Sequence, residues 1–244
     1  MAADEFLPFD GKQLLLVAGA ALAAILVFAA LANPSGVEFR STGENVSCGP
    51  PAIAPGDAYS YLASSGRETV RVEMSSGGFD AARRCRLLHQ ESSANASIDA
   101  CFSEADGLLV YASSRGIEIP PESLAGQAPL VAFEPWMACA REGWTGGENF
   151  SRAMKPGILE VMRVRDVIGK RYSFAGAETV SGRRAYRIEE ETFRASGPEG
   201  STAETPVGAR TIWVDAEKKV ALEIRSTGAS GLNATIAGAP FPLG

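Results

Sequence analysis

The stretch Thr211-Ile212-Trp213-Val214-Asp215-Ala216-Glu217-Lys218-Lys219-Val220-Ala221-Leu222-Glu223-Ile224 decides the fold. Two short runs rich in β-branched and aromatic residues flank a polar turn, Asp215–Lys219, which is the pattern of a β-hairpin. Working outward, Arg184 through Glu190 alternates around Tyr186 and Ile188, and Thr69-Val70-Arg71-Val72-Glu73-Met74 alternates in the same way. A period of two places successive side chains on opposite faces, so both read as half-buried antiparallel strands.

Three blocks recur in the same order in two halves of the chain. Gly56-Asp57-Ala58-Tyr59-Ser60-Tyr61 returns as Gly169-Lys170-Arg171-Tyr172-Ser173-Phe174. Ala82-Arg83-Arg84-Cys85-Arg86-Leu87 parallels Gly182-Arg183-Arg184-Ala185-Tyr186-Arg187-Ile188, and Cys101–Ser114 parallels Trp213–Ser226. This predicts an internal duplication, with copies at about 56–115 and 169–228. Between the copies, residues 121–142 carry Leu124, Leu130, Val131, Phe133, Trp136, Met137 and Ala140, and residues 157–168 carry Ile158, Leu159, Met162 and Ile168. That spacing predicts one or two helices packed on the sheet, in a linker of about 121–168. Residues 195–208, ASGPEGSTAETPVG, read as a loop between two strands.

The chain has four cysteines, Cys48, Cys85, Cys101 and Cys139, with no CxxC pair and a single histidine, so zinc-ligand spacing is absent and no metal site is expected. Two disulfides in an oxidising compartment are the better reading. Three connectivities are open. If the duplication holds, Cys85 and Cys101 lie on strands matching those of Tyr186 and Trp213, which favours Cys85–Cys101 and leaves Cys48–Cys139.

Ahead of the β-rich portion, residues Leu14–Ala32 form an apolar run without a charge or a proline. At about 1.5 Å per residue a helix of that length spans roughly one hydrocarbon core. Ala30-Leu31-Ala32 has the form of a signal-peptidase site, but the run exceeds the usual apolar length of a signal peptide and the preceding tail is acidic. The organisation expected is a cytoplasmic tail at 1–13, a transmembrane helix at 14–32, a stalk at 33–52 and an extracytoplasmic domain at 53–244. Lys12 before the span and Arg40 after it, one basic residue on each side, do not set its orientation. Asparagine does: four of the five asparagines, Asn45, Asn95, Asn149 and Asn233, stand in proper acceptor sequons, the fifth, Asn33, being followed by proline. Glycosylation there, like the disulfides, puts the C-terminal domain outside a single-pass membrane protein. A net charge of −6 and a pI near 5.0 argue against a nucleic-acid partner.

The second copy, with its opening Arg171-Tyr172-Ser173-Phe174, its Gly182-Arg183-Arg184-Ala185-Tyr186 strand and its Trp213-Val214-Asp215 hairpin, resembles the periplasmic lipoprotein carrier and lipoprotein-sorting (LolA-like) family over about 60 residues. The resemblance implies a curved antiparallel sheet wrapped over a helix, an open half-barrel that holds acyl chains. A shuttling carrier is not tethered, so what carries over is the fold and an apolar concavity. The residues expected to line it are Trp136, Tyr172, Phe174, Tyr186 and Trp213.

Catalytic signatures are missing. His89 is the only histidine and reads as a surface residue at a strand end, so a Ser-His-acid arrangement has nothing else to rest on. Gly169-Lys170 lacks the glycine spacing of a phosphate loop. Glu189, Glu190 and Glu191 alternate across a strand and read as solvated surface. The expectation is therefore a mainly β (α+β) domain behind a transmembrane helix, not an enzyme and without cofactors. Its partners would be the membrane and a lipid or other apolar ligand. The rival is a structural or protein-interaction domain of the cell envelope, in which the same aromatics fill a core.

Overall fold

A computed structural model describes residues 37–41, 48–65, 68–119, 130–154, 164–198, 203–227 and 232–243. The apolar run Leu14–Ala32 and the sequon at Asn45 lie outside the described residues. Among the described residues no helix is long and apolar enough to cross a membrane.

The strands are β1 (Val37–Ser41), β2 (Ala58–Ser65), β3 (Glu68–Asp80), β4 (Cys85–Ser92), β5 (Ser97–Ser103), β6 (Leu109–Ser114), β7 (Ile117–Ile119), β8 (Thr145–Met154), β9 (Val164–Val180), β10 (Arg183–Pro198), β11 (Ala203–Asp215), β12 (Ala221–Ser226) and β13 (Leu232–Gly238). All join one antiparallel sheet in the order β1-β8-β9-β10-β11-β12-β13-β2-β3-β4-β5-β6-β7. Two six-stranded meanders, β2–β7 and β8–β13, thus lie side by side, joined where β13 pairs with β2.

The halves share register in detail. Cys85 pairs with Ser103 as Ala185 pairs with Asp215, and Leu87 with Cys101 as Arg187 with Trp213. Each outer hairpin slips by one residue at the same place, between Ser76 and Gly78 opposite Leu87–Leu88 and around Gly176 opposite Arg187–Ile188. Gly78 and Gly176 take φ of +101° and +154° there, values that favour glycine in a bulge. The inner turns match too. The Ser103 N–H donates to the Leu108 carbonyl and the Asp215 N–H to the Val220 carbonyl, while the Arg84 and Arg184 carbonyls accept from Glu104 and Ala216.

This geometry places Gly169–Phe174 on β9, whose counterpart is β3. Gly56–Tyr61 leads into β2, whose counterpart is β8. The first of the three sequence blocks therefore aligns strands that are not equivalent, whereas the second and third align strands that are.

The linker differs from its expected helices. Among the described residues it holds one five-residue 3-10 turn, Pro135–Cys139. Residues 145–154 and 164–168 are strand, and 155–163 lie outside the described residues. Residues 120–129 of the first part lie outside the described residues, and Pro135 opens only the short turn. In the second, Val164, Val167 and Ile168 are β-branched, and a short apolar run does not separate helix from strand by spacing. The expected loop at 195–208 is also mostly strand, since β10 runs to Pro198 and β11 begins at Ala203. Pro206 is accommodated where the β10–β11 register shifts, a position that needs no ladder N–H. In the expected stalk, Val37–Ser41 is an edge strand of the sheet.

The sheet curls around residues 130–144. Phe133 packs edge-on against Phe102 of β5, with centroids 5.2 Å apart, and Trp136 stacks on Tyr172 of β9 at 4.7 Å. In a flat sheet β5 and β9, eight strand spacings apart in the order, would be separated by about 38 Å. Three residues of chain reach only about 11 Å. Both strands must bend round to the same short segment.

Candidate functional site

The five aromatics expected to line a concavity do not share one surface. Trp136 and Tyr172 are 1% and 2% exposed and stack face to face, with Trp144 against both at 5.8 Å. A Cβ at Gly146, which pairs with Tyr172, would collide with the Trp144 ring, so the bare glycine makes room for the stack. Phe174 and Tyr186 form a half-buried edge-on pair at 6.1 Å, with the Lys219 ammonium 4.9 Å from the Tyr186 ring. Trp213 alternates to the face opposite Ile212 and Val214. There its indole N–H donates to Glu178 at 3.2 Å and the Arg225 guanidinium covers its ring at 4.8 Å.

The linker is bound on the inside of the curl by both halves of the sheet. The Ala221 N–H donates to the Ala132 carbonyl at 2.9 Å, the Val131 N–H donates to Gln90 Oε1 at 2.8 Å, and Lys219 Nζ donates to the Ala140 carbonyl at 2.7 Å. Disulfides join Cys48 to Cys139, Cα atoms 5.0 Å apart, and Cys85 to Cys101, 5.4 Å apart. The first fastens the turn of the linker to the segment ahead of β2; the second staples β4 to β5.

Beside the aromatic stack lies a group that sequence reasoning missed. Glu134, Lys170, Glu190 and Arg210 bring two acids and two bases into the interior. Arg210 Nη2 donates to both oxygens of Glu134, at 2.9 and 3.2 Å, and Arg210 Nε donates to Glu190 Oε1 at 2.9 Å. Lys170 Nζ stands 3.8 Å from each carboxylate, and the Trp136 indole N–H donates to Glu134 at 3.1 Å. Burial alone would raise the Glu134 pKa, but the charges of Arg210 and Lys170 and the indole hydrogen bond hold it below the usual value. The same two carboxylates push Arg210 upward against its burial. Glu190, expected as solvated surface, is 2% exposed. The available signal was phase: Glu190 shares its side of β10 with Ile188, whereas Glu189 and Glu191 take the exposed side.

Asp215, the acid of the Trp-Val-Asp hairpin, has a comparable structural role. Burial opposes its charge, yet Arg183 and the backbone N–H groups of Lys218 and Glu217 hold its carboxyl low.

On the outer face, His89, Asp99 and Ser113 stand opposite one another on β4, β5 and β6. His89 Nδ1 is 2.7 Å from Asp99, and the Ser113 hydroxyl donates to Asp99 at 3.3 Å. The acid sits between the other two, so the imidazole is not placed to take the serine proton as a nucleophilic triad requires. A shallow groove of about 610 Å³ lies along the second half of the sheet, with Thr145, Gly146, Arg171, Tyr172 and Glu190 among its lining residues. No group of three or more metal-ligating side chains occurs among the described residues. Of the sequons, Asn95 is exposed in the β4–β5 turn, Asn233 is half-buried on β13 with its side-chain oxygen accepting from the Ser226 N–H, and Asn149 lies within β8.

No protein-family model matches the chain. No curated protein matches it either. Among solved structures it is similar to the hypothetical lipoprotein YmcC from Escherichia coli, at 16% identity and a TM-score of 0.36, over 76% of this chain and 88% of that one. A protein of YmcC-like fold from Bacteroides fragilis is similar at 9% identity and a TM-score of 0.34, over 80% of this chain and all of that one. MucB is similar at 10% identity and a TM-score of 0.33, over 91% of this chain and 59% of MucB.

Proposed function

We propose that this protein is a membrane-tethered, extracytoplasmic interaction domain of the cell envelope, without enzymatic activity, and that it works through its outer surface. The observation that carries this reading is the occupied interior. The side of the sheet that would receive an acyl chain holds Phe133, Trp136 and Met137 of the chain's own linker, packed against Phe102 and Tyr172. Trp136 and Tyr172 then serve as core, and apolar ligands have to compete with a covalently attached occupant. Two disulfides support an oxidising compartment. The apolar run Leu14–Ala32 supplies the tether, and the sequons at Asn45, Asn95, Asn149 and Asn233 supply glycans on the outside.

The test is native mass spectrometry of the chain from Val37 to Gly244, purified from a host with an oxidising secretory route and then extracted with organic solvent. The expected result is a mass free of lipid and no uptake from added phospholipid. A lipid adduct in stoichiometric amount, lost on Trp136→Ala, would overturn the interaction reading and restore the carrier-like one.

A further inference from the structure

The two disulfides differ in what a reagent can reach. Cys85 and Cys101 are both 0% exposed and lie on the paired strands β4 and β5. A thiolate reaches their sulfurs only if those strands part. Cys48 is an exposed residue, whereas its partner Cys139, at the end of the Pro135–Cys139 turn, is 6% exposed. Thiol–disulfide exchange needs access to one sulfur and a good leaving group in the other. Cys48 offers the access. Lys219 Nζ, donating to the Ala140 carbonyl at 2.7 Å, holds a cation one residue on from Cys139, and a nearby cation favours a departing thiolate.

The fold keeps both cysteines in place when this bridge opens. Just after Cys48 the Gly49 carbonyl lies against Gly107, where a Cβ would come within 2.0 Å of it. Ile53 is buried, its carbonyl accepts from Arg86 at 2.9 Å, and the Ala54 N–H donates to Asp57 at 2.9 Å. On the other side Cys139 belongs to the linker, which the Trp136–Tyr172 stack, the Glu134–Arg210 bonds and the Ala132–Ala221 bond hold to the sheet. The two sulfurs stay neighbours, so reclosure is intramolecular and needs no search through conformations.

We propose that Cys48–Cys139 is a thiol-exchange site, with Cys48 the sulfur attacked and Cys139 the resolving one, and that its partner is an extracytoplasmic thiol. The incoming thiolate attacks Cys48 Sγ. A new S–S bond forms there, the Cys48–Cys139 bond breaks, and Cys139 Sγ leaves with the electron pair and takes a proton from water. If the partner carries a second thiol, its thiolate attacks the mixed disulfide and releases Cys48. The partner is then oxidised to its own disulfide, and the pair on this chain is reduced by two electrons. Without a second thiol, Cys139 returns to Cys48, expels the partner and restores the bridge. The site names a covalent class of partner for the interaction domain proposed above, and rests on the oxidising compartment of that reading.

The full chain, oxidised and held in mild detergent at neutral pH, is exposed to reduced glutathione or to reduced thioredoxin, and samples are quenched early with acid. Non-reducing peptide maps locate adducts and free thiols, and amide exchange of β4 and β10 reports whether the sheet stays folded. With glutathione the expected result is an adduct on Cys48, a free thiol at Cys139 and an intact Cys85–Cys101 bridge, in a sheet that remains protected. Removing free glutathione should then restore Cys48–Cys139 with loss of the adduct. Opening of this bridge alone by either reagent supports the site, and the faster of the two tells whether a small thiol or a protein thiol is the better partner. Glutathione on Cys139 in place of Cys48, or loss of both bridges together, overturns the proposal. So does a chain in which neither bridge opens until denaturant is added. None of these outcomes alters the mass expected after organic extraction, so the interaction reading is judged separately.

Discussion

The two halves of the sheet solve one problem with different chemistry. Both must hold a central hairpin, β4–β5 or β10–β11, closed over the linker. In the first half the hairpin is stapled by Cys85–Cys101, and the positions facing the linker are Val72, Gln90 and Ile98. At the matching positions of the second half stand Lys170, Glu190 and Arg210, while Ala185 and Trp213 replace the two cysteines. Gln90 and Glu190 are counterparts, and each reaches the linker: Gln90 accepts directly from the Val131 N–H, Glu190 acts through Arg210 on Glu134. Two halves in the same register thus hold a neutral, covalently fastened version and a fully charged one. Buried ions add specificity of position rather than net stability, because the desolvation of four charges offsets much of their attraction.

That comparison can be broken at several points. The largest effect is expected at Arg210→Ala, which leaves Glu134 and Glu190 buried with only Lys170 between them. Urea unfolding should show a loss of about 3–5 kcal/mol. The Cys85→Ala/Cys101→Ala pair should cost about 3 kcal/mol by the same measurement, the size expected for a loop of this length. By contrast, giving the second half the residues of the first, Lys170→Val, Glu190→Gln and Arg210→Ile with Glu134→Gln, should change stability by only about 1 kcal/mol in either direction. A loss near that of Arg210→Ala would mean that the charges do more than position the linker.

Acid should separate the halves in the same sense. Glu134 and Asp215 are held below their ordinary values in the folded chain, so the folded state binds fewer protons than the unfolded one. The stability they add is complete above the ordinary carboxylate range, about pH 4, and is lost as pH falls through their lowered values. Amide exchange at decreasing pH should therefore open β10–β11 before β4–β5.

The parts of this architecture that could be read from residues are those in which local pattern and tertiary role agree. Thr211–Ile224 has strand chemistry on both sides of a polar turn and forms that hairpin. The Arg83-Arg84 and Arg183-Arg184 blocks match because the first leads into β4 and the second opens β10, strands that pair with their neighbours in the same register. The misreadings come from residues whose role is set by distant neighbours. Ile168 satisfies a helical spacing, yet it is β-branched and finds strand partners in β8 and β10. Gly56–Tyr61 and Gly169–Phe174 resemble each other because an aromatic–Ser–aromatic run suits a half-buried strand, whether at the start of β2 or in the middle of β9, not because they are counterparts. The interior charges were illegible for a simpler reason: their partners come from four segments between 134 and 210, and no local pattern joins them. The aromatics of the expected cavity show the limit most clearly. Inward alternation identifies Tyr172 as interior, but whether Trp136 faces a void or fills one depends on where the linker runs.

The account's central claim is that the linker is core and not a lid. Hydrogen exchange of the Val131 and Ala221 amides, whose acceptors are Gln90 and the Ala132 carbonyl, tests it directly. If the linker is core, both amides exchange only with global unfolding, at the slow rate of the β4 and β10 strand centres. Fast exchange at these two amides while those strands stay protected would show a linker that lifts away from an intact sheet, and would contradict the filled interior.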